Sequence, residues 1–117
     1  MKEFENSVYY NGSDYCMQSL KLQEISENAE TPFYVYDMDY IIKKYNKLKA
    51  SFPWENVRLF YAMKANFNPL MLKIMKENGF CLDTVSPAEV ILAKKLGFAG
   101  ENILFTANNM TDKDMEV

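Results

Sequence analysis

Three charged residues stand where this chain is otherwise apolar or tightly turned. Lys64 follows Phe60, Tyr61, Ala62 and Met63, the end of a strongly hydrophobic run. Asp83 lies inside FCLDTV, residues 80 to 85, and Glu89 follows shortly after in SPAEV. A lysine half-buried at a strand end is partly stripped of water, which favours the neutral amine. A neutral amine is a nucleophile toward aldehydes. The competing reading is a lysine that snorkels to solvent where the strand leaves the core. Asp83 faces Lys64, or a group bound to it, if their two strands are neighbours; otherwise it begins the turn toward Ser86. Glu89 stands three residues after Ser86, which also makes it the acidic partner of a capping box. Lys73, Lys76, Lys94 and Lys95 read as solvated helix residues. Histidine is absent from the chain, so imidazole does no chemistry from within these residues.

The elements that must position these groups alternate. Residues 7 to 20, SVYYNGSDYCMQSL, carry Asn11-Gly12 between apolar flanks, a hairpin signal. Lys21 to Glu30 reads as a short polar helix, broken at Thr31-Pro32 because proline disfavours a helical residue before it. FYVYD, residues 33 to 37, reads as a strand that ends in a helix cap. From Asp37 onward, Met38, Ile41, Ile42, Tyr45, Leu48 and Phe52 recur at spacings of three and four. That is the stripe of an amphipathic helix, with Lys43, Lys44 and Lys47 on its wet side.

A strand over residues 57 to 63 follows, apolar at nearly every position, as in sheets buried on both faces. Asn68-Pro69 pairs a cap residue with proline at the first helical position, and Asn78-Gly79 ends that helix. Residues 80 to 85 form the next strand. Ser86 opens a helix that Gly97 closes, ILFTA at 103 to 107 is a further strand, and Thr111 to Asp114 begins another helix. The alternation predicts an α/β fold with parallel strands. Three such strands do not close a barrel, which takes about 250 residues. The chain therefore reads as the N-terminal part of a longer protein, with residues 1–30 as a β hairpin and short helix. Residues 31–117 read as the truncated first part of a barrel domain.

Composition narrows the function classes. The 117 residues are 49% hydrophobic and 25% charged, with a net charge of −3 and a pI near 5.0. No basic run offers a nucleic-acid or anionic-membrane surface, and no apolar stretch approaches the roughly 20 residues needed to span a bilayer. Cys16 and Cys81 have no metal-like spacing and read as reduced thiols of a cytoplasmic protein. No metal site is expected.

Taken in order, TPFYVYD, FYAMKAN, LDTVSPAEV and ILFTANNMT resemble the fold-type III pyridoxal-phosphate amino-acid decarboxylases, most closely the diaminopimelate-decarboxylating branch. The resemblance runs from about Ser7 to the end of the chain. It implies an eight-stranded TIM-like barrel, followed by a β domain to which the N-terminal strands return. By resemblance, Lys64 matches the lysine that holds pyridoxal 5'-phosphate, Asp83 an acidic residue close to it, and Glu89 the acid of the third motif. The implied reaction is loss of carbon dioxide from an amino acid, meso-diaminopimelate giving L-lysine, in a homodimer of the full-length parent. The fragment alone is expected to be inactive.

Two departures from the pattern stand out: Met110 stands where lysine is frequent, and Pro87-Ala88 replaces a glycine pair or similar small residues. Ornithine, arginine and carboxynorspermidine decarboxylases and alanine racemase are the neighbouring alternatives. In the racemase the lysine motif usually runs on into A-Y-G, whereas Phe67-Asn68-Pro69 follows here. A non-catalytic relative acting as a binding protein is the alternative from another class, and retention of Lys64 argues against it.

Overall fold

The computed structural model describes residues 7–116. The chain divides into two compact units, Met1–Lys44 and Tyr45–Val117. Among the described residues no helix is long and apolar enough to cross a membrane.

The first unit is an antiparallel meander of β1 (Val8–Tyr10), β2 (Tyr15–Met17) and β3 (Leu20–Lys21), followed by α1 (Leu22–Glu27). The expected hairpin is present, with a longer connection than a two-residue turn. Tyr10 pairs with Tyr15, and Asn11 Oδ1 accepts from the Ser13 and Asp14 amides at 2.9 and 2.8 Å. This is the local bonding by which asparagine builds its own turn. Among the described residues of this unit, Cys16 is the buried one.

FYVYD departs from expectation: residues 33 to 37 form no strand. Its aromatic and β-branched side chains favour a pleated surface, but a strand also needs a ladder partner. None is present among the described residues, and Tyr34 is 89% exposed. The cap at its end does form. The Tyr40 amide donates to Asp37 Oδ1 at 2.9 Å and the Ile41 amide to the Asp37 carbonyl at 3.1 Å, starting α2 (Met38–Ala50). Asp37 also accepts from Ser7 Oγ at 3.0 Å and Gln18 Nε2 at 2.8 Å, tying the meander to the helix start.

The second unit takes up the last turns of α2 and then alternates strictly. β4 (Phe60–Ala62), α3 (Pro69–Glu77), β5 (Cys81–Thr84), α4 (Pro87–Lys95) and β6 (Ile103–Phe105) follow one another. The strands form a parallel sheet in sequential order, the α/β arrangement the sequence predicts. The register pairs Phe60 with Cys81, Ala62 with Asp83, and Asp83 with Leu104.

Side chains alternate between sheet faces. Tyr61, Leu82, Thr84, Ile103 and Phe105 therefore share one face, and Ala62, Asp83 and Leu104 the other. Met71, Leu72 and Met75 of α3, Ala93 of α4, and Leu82 and Thr84 are buried, together with Met63, Phe80, Cys81 and Phe98. Both helices end in glycines at positive φ, Gly79 at +78° and Gly97 at +82°. There Phe80 N–H returns to the Met75 carbonyl and Phe98 N–H to the Ala93 carbonyl, the left-handed termination glycine permits.

The strand expected over 57 to 63 is shorter than its apolar run. β4 ends at Ala62, and Met63–Ala65 turn into a 3-10 helix. Thr111 N–H and Oγ1 both donate to Asp114 Oδ2, at 2.9 and 2.7 Å, beside a 3-10 segment over Asp112–Glu116 rather than an α-helix.

Candidate functional site

The carboxyl edge of the parallel sheet collects the residues singled out in the sequence. This is where ligands gather in α/β folds of this kind. Lys64 leaves the end of β4 inside the 3-10 turn. Alternation along a strand therefore does not set its direction, and its side chain is exposed rather than half-buried. The turn itself is anchored. Met63 is 0% exposed, Asn66 Oδ1 accepts from the Asn68 amide at 3.0 Å, and Asn68 Oδ1 accepts from the Leu70 amide at 3.0 Å. A buried methionine on one side and a capped helix on the other thus hold an exposed amine at the strand end. Here lies the reason for a lysine after so apolar a strand: Met63 completes the core, and Lys64 is released from it.

Asp83 occupies the third position of β5 and is half-buried. Its register partner on β4 is Ala62, two residues before Lys64. The strands are neighbours, as the sequence reading required for the two groups to work at one edge. Asp83 Oδ1 accepts a hydrogen bond from Thr106 Oγ1 at 2.5 Å. Thr106 was not among the residues that sequence reading selected. The signal was present in the alternation, since Thr106 stands two residues beyond Leu104 and so returns to the face of Asp83.

Glu89 sits in the first turn of α4. Ser86 Oγ accepts from the Glu89 amide at 3.3 Å, and Glu89 Oε2 accepts from the Val85 amide at 2.6 Å. Its carboxylate closes the N-terminus of α4, reaching one residue further back than the usual capping-box partner. Met110 is exposed.

At the opposite, amino edge of the same sheet, Arg58 Nη2 donates to Asn102 Oδ1 at 2.6 Å and to the Glu101 carbonyl, with Cys81 Sγ at 3.7 Å. The chemistry-bearing edge and the clasped edge are thus distinct. A cavity of about 520 Å³ lined by Val90, Phe98, Ile103, Phe105 and Met115 lies on the α4 side of the sheet, away from the face of Asp83.

An exposed primary amine, with a carboxylate held on the adjacent strand, is a donor set that fits an aldehyde cofactor. Residues 38–117 match the family model described as pyridoxal-dependent decarboxylase, pyridoxal binding domain. The diaminopimelate decarboxylase of Aquifex aeolicus is 32% identical over 115 residues, 98% of this chain and 27% of that protein. That of Methanothermobacter thermautotrophicus is 38% identical over 95 residues, 80% of this chain and 22% of that protein. The crystal structure of diaminopimelate decarboxylase from M. jannaschii in complex with L-lysine superposes with a TM-score of 0.86 at 26% identity, covering 94% of this chain and 27% of that one. The chain spans about a quarter of the length of these relatives. It belongs to the pyridoxal-dependent decarboxylases, within their pyridoxal binding domain.

Proposed function

We propose that these residues supply the cofactor-holding edge of an enzyme that decarboxylates an amino acid, with meso-diaminopimelate as substrate and L-lysine as product. The observation that carries the reading is the exposed Lys64 amine, held at the end of β4 by buried Met63, beside the strand that bears Asp83. The choice of substrate is supported by relatives named diaminopimelate decarboxylase and by the L-lysine complex of the M. jannaschii protein. A homodimer and a cytoplasmic location belong to the same reading; two free, buried cysteines are in keeping with the latter.

Lys64 Nζ provides the amine that binds the cofactor aldehyde, and its exposure lets both cofactor and substrate amine reach it. Pyridoxal phosphate, when bound, supplies the electron sink for the pair left as the Cα–carboxylate bond breaks. Asp83 places a carboxylate on the neighbouring strand, its register partner Ala62 lying two residues before Lys64. Glu89, with Oε2 engaged by the Val85 amide, keeps α4 starting directly after β5 and so sets the wall behind Asp83.

The test is borohydride reduction of the cofactor-loaded enzyme followed by peptide mapping. Label on Lys64 is the expected result, and label on another lysine removes the central assignment. A substrate panel of diaminopimelate, ornithine, arginine and carboxynorspermidine, scored by carbon dioxide release, then decides the substrate. Turnover of diaminopimelate is expected, and preference for one of the others reassigns the chain within its family.

A further inference from the structure

The Thr106–Asp83 hydrogen bond is built by the sheet. Thr106 follows the last residue of β6, and its amide donates to the Thr84 carbonyl at 2.8 Å, carrying the β5–β6 ladder one bond further. That bond fixes the backbone of Thr106, and alternation from Leu104 puts its side chain on the face of Asp83. Threonine is branched at Cβ and has few χ1 choices, so its hydroxyl is delivered to Asp83 Oδ1 with little freedom. The 2.5 Å separation is at the short end of the range for a hydroxyl donating to a carboxylate. Among the described residues Thr106 is the side-chain partner of Asp83.

A free aspartate on a strand swings about its terminal torsion, which is broad and roughly two-fold. With Oδ1 engaged, the carboxylate plane is set, and Oδ2 is the oxygen left for a cationic group at this edge. Lys64 lies two residues beyond the register partner of Asp83. We infer that Thr106 is a positioning residue: it orients the Asp83 carboxylate toward the amine that carries the cofactor. This rests on the assignment of Lys64 as the cofactor-bearing lysine. A surface hydroxyl that merely satisfied a solvated aspartate would leave the cofactor indifferent to its removal.

The experiment uses the cofactor-loaded enzyme and three readouts: the rate of cofactor attachment followed by visible absorbance, the visible circular dichroism of the bound cofactor, and the melting temperature. Thr106→Val keeps the shape and removes the hydroxyl; Thr106→Ser restores it. Attachment slower by about tenfold in Val, the worth of a hydrogen bond to a charged group, with an altered dichroism band and both restored in Ser, is the expected result. In an Asp83→Asn background the Thr106→Val change should have no further effect on attachment.

Should Thr106→Val fail to fold, Thr106→Ala carries the same comparison. Wild-type attachment and dichroism in the hydroxyl-free variant, with label trapped on Lys64, overturn the inference while leaving the cofactor assignment intact. Additive effects of the two substitutions overturn it as well. Absence of label on Lys64 in the unaltered enzyme instead removes the assignment on which the inference stands.

Discussion

Tyr45 stacks on Phe80 with ring centroids 3.7 Å apart and planes 18° from parallel, and its hydroxyl donates to the Gly79 carbonyl at 2.9 Å. A residue of α2 thereby grips the turn that leads into β5, the strand of Asp83. Burial pushes the Tyr45 phenol above its ordinary value, and Cys81 adds to the same effect. Folding therefore favours the protonated phenol. The stability this contributes is complete below the ordinary tyrosine value of about 10 and is lost as pH rises through it toward the folded value.

Tyr45→Phe keeps the stack and removes both the hydroxyl bond and the titration. Near neutral pH the substitution should cost about 1 kcal/mol. Between about pH 9 and 11 the unfolding midpoint of the variant should fall less steeply than that of the wild type. Urea melts across this range measure both effects, and parallel curves would show that Tyr45 is not the group responsible.

Asp37 gives the opposite dependence. Partial burial pushes its carboxyl up, but the Tyr40 amide, Gln18, Ser7 and the Asp39 amide together outweigh that and hold it below the ordinary value. Its contribution is present above the ordinary carboxylate value of about 3.9 and is lost as pH falls through the depressed folded value. Asp37→Ala removes the cap of α2 and should destabilise the first unit by about 1 kcal/mol at neutral pH. Its acid melt should be flatter than the wild type's below about pH 4. Far-ultraviolet dichroism against pH reads both.

The apolar residues Phe80, Cys81, Leu82 and Val85 around Asp83 and the cap residues Asn68 and Ser86 announce β5, α3 and α4 in the sequence, because burial and capping are local properties. The register is not local. That Ala62 pairs with Asp83 and that Thr106 reaches its carboxylate follow from three strands laid side by side. FYVYD shows the converse error: the strand chemistry of residues 33 to 37 was legible, but the ladder partner that makes a strand is not supplied by neighbouring residues. The turn at Met63–Ala65 was hidden in the same way, since an apolar run does not show where it stops being extended.

Leu82 is wholly buried at the centre of the sheet, on the face opposite Asp83. Leu82→Ala leaves a cavity between β5 and the helices and should cost about 2–5 kcal/mol. Its neighbour Thr84, also wholly buried, donates Oγ1 to the Leu104 carbonyl at 2.9 Å. Thr84→Val keeps the shape and should cost about 1 kcal/mol. A larger loss for Thr84→Val than for Leu82→Ala in chemical melts would mean that the polar tie, not apolar packing, dominates this layer.

Lys64 carries no such structural load. Its side chain is exposed, and the turn around it is held by Met63, Asn66 and Asn68. Lys64→Ala should therefore change stability by no more than about 0.5 kcal/mol, as surface substitutions do, while abolishing covalent cofactor attachment in the loaded enzyme. Lys64→Arg should fail equally, since a guanidinium stays protonated and is no nucleophile. The two measurements separate cleanly: urea melts report the fold, and reductive trapping reports the amine. A large loss of stability in Lys64→Ala would mean that the lysine is a packing residue of the turn. Trapping that survives the substitution would mean that another amine holds the cofactor.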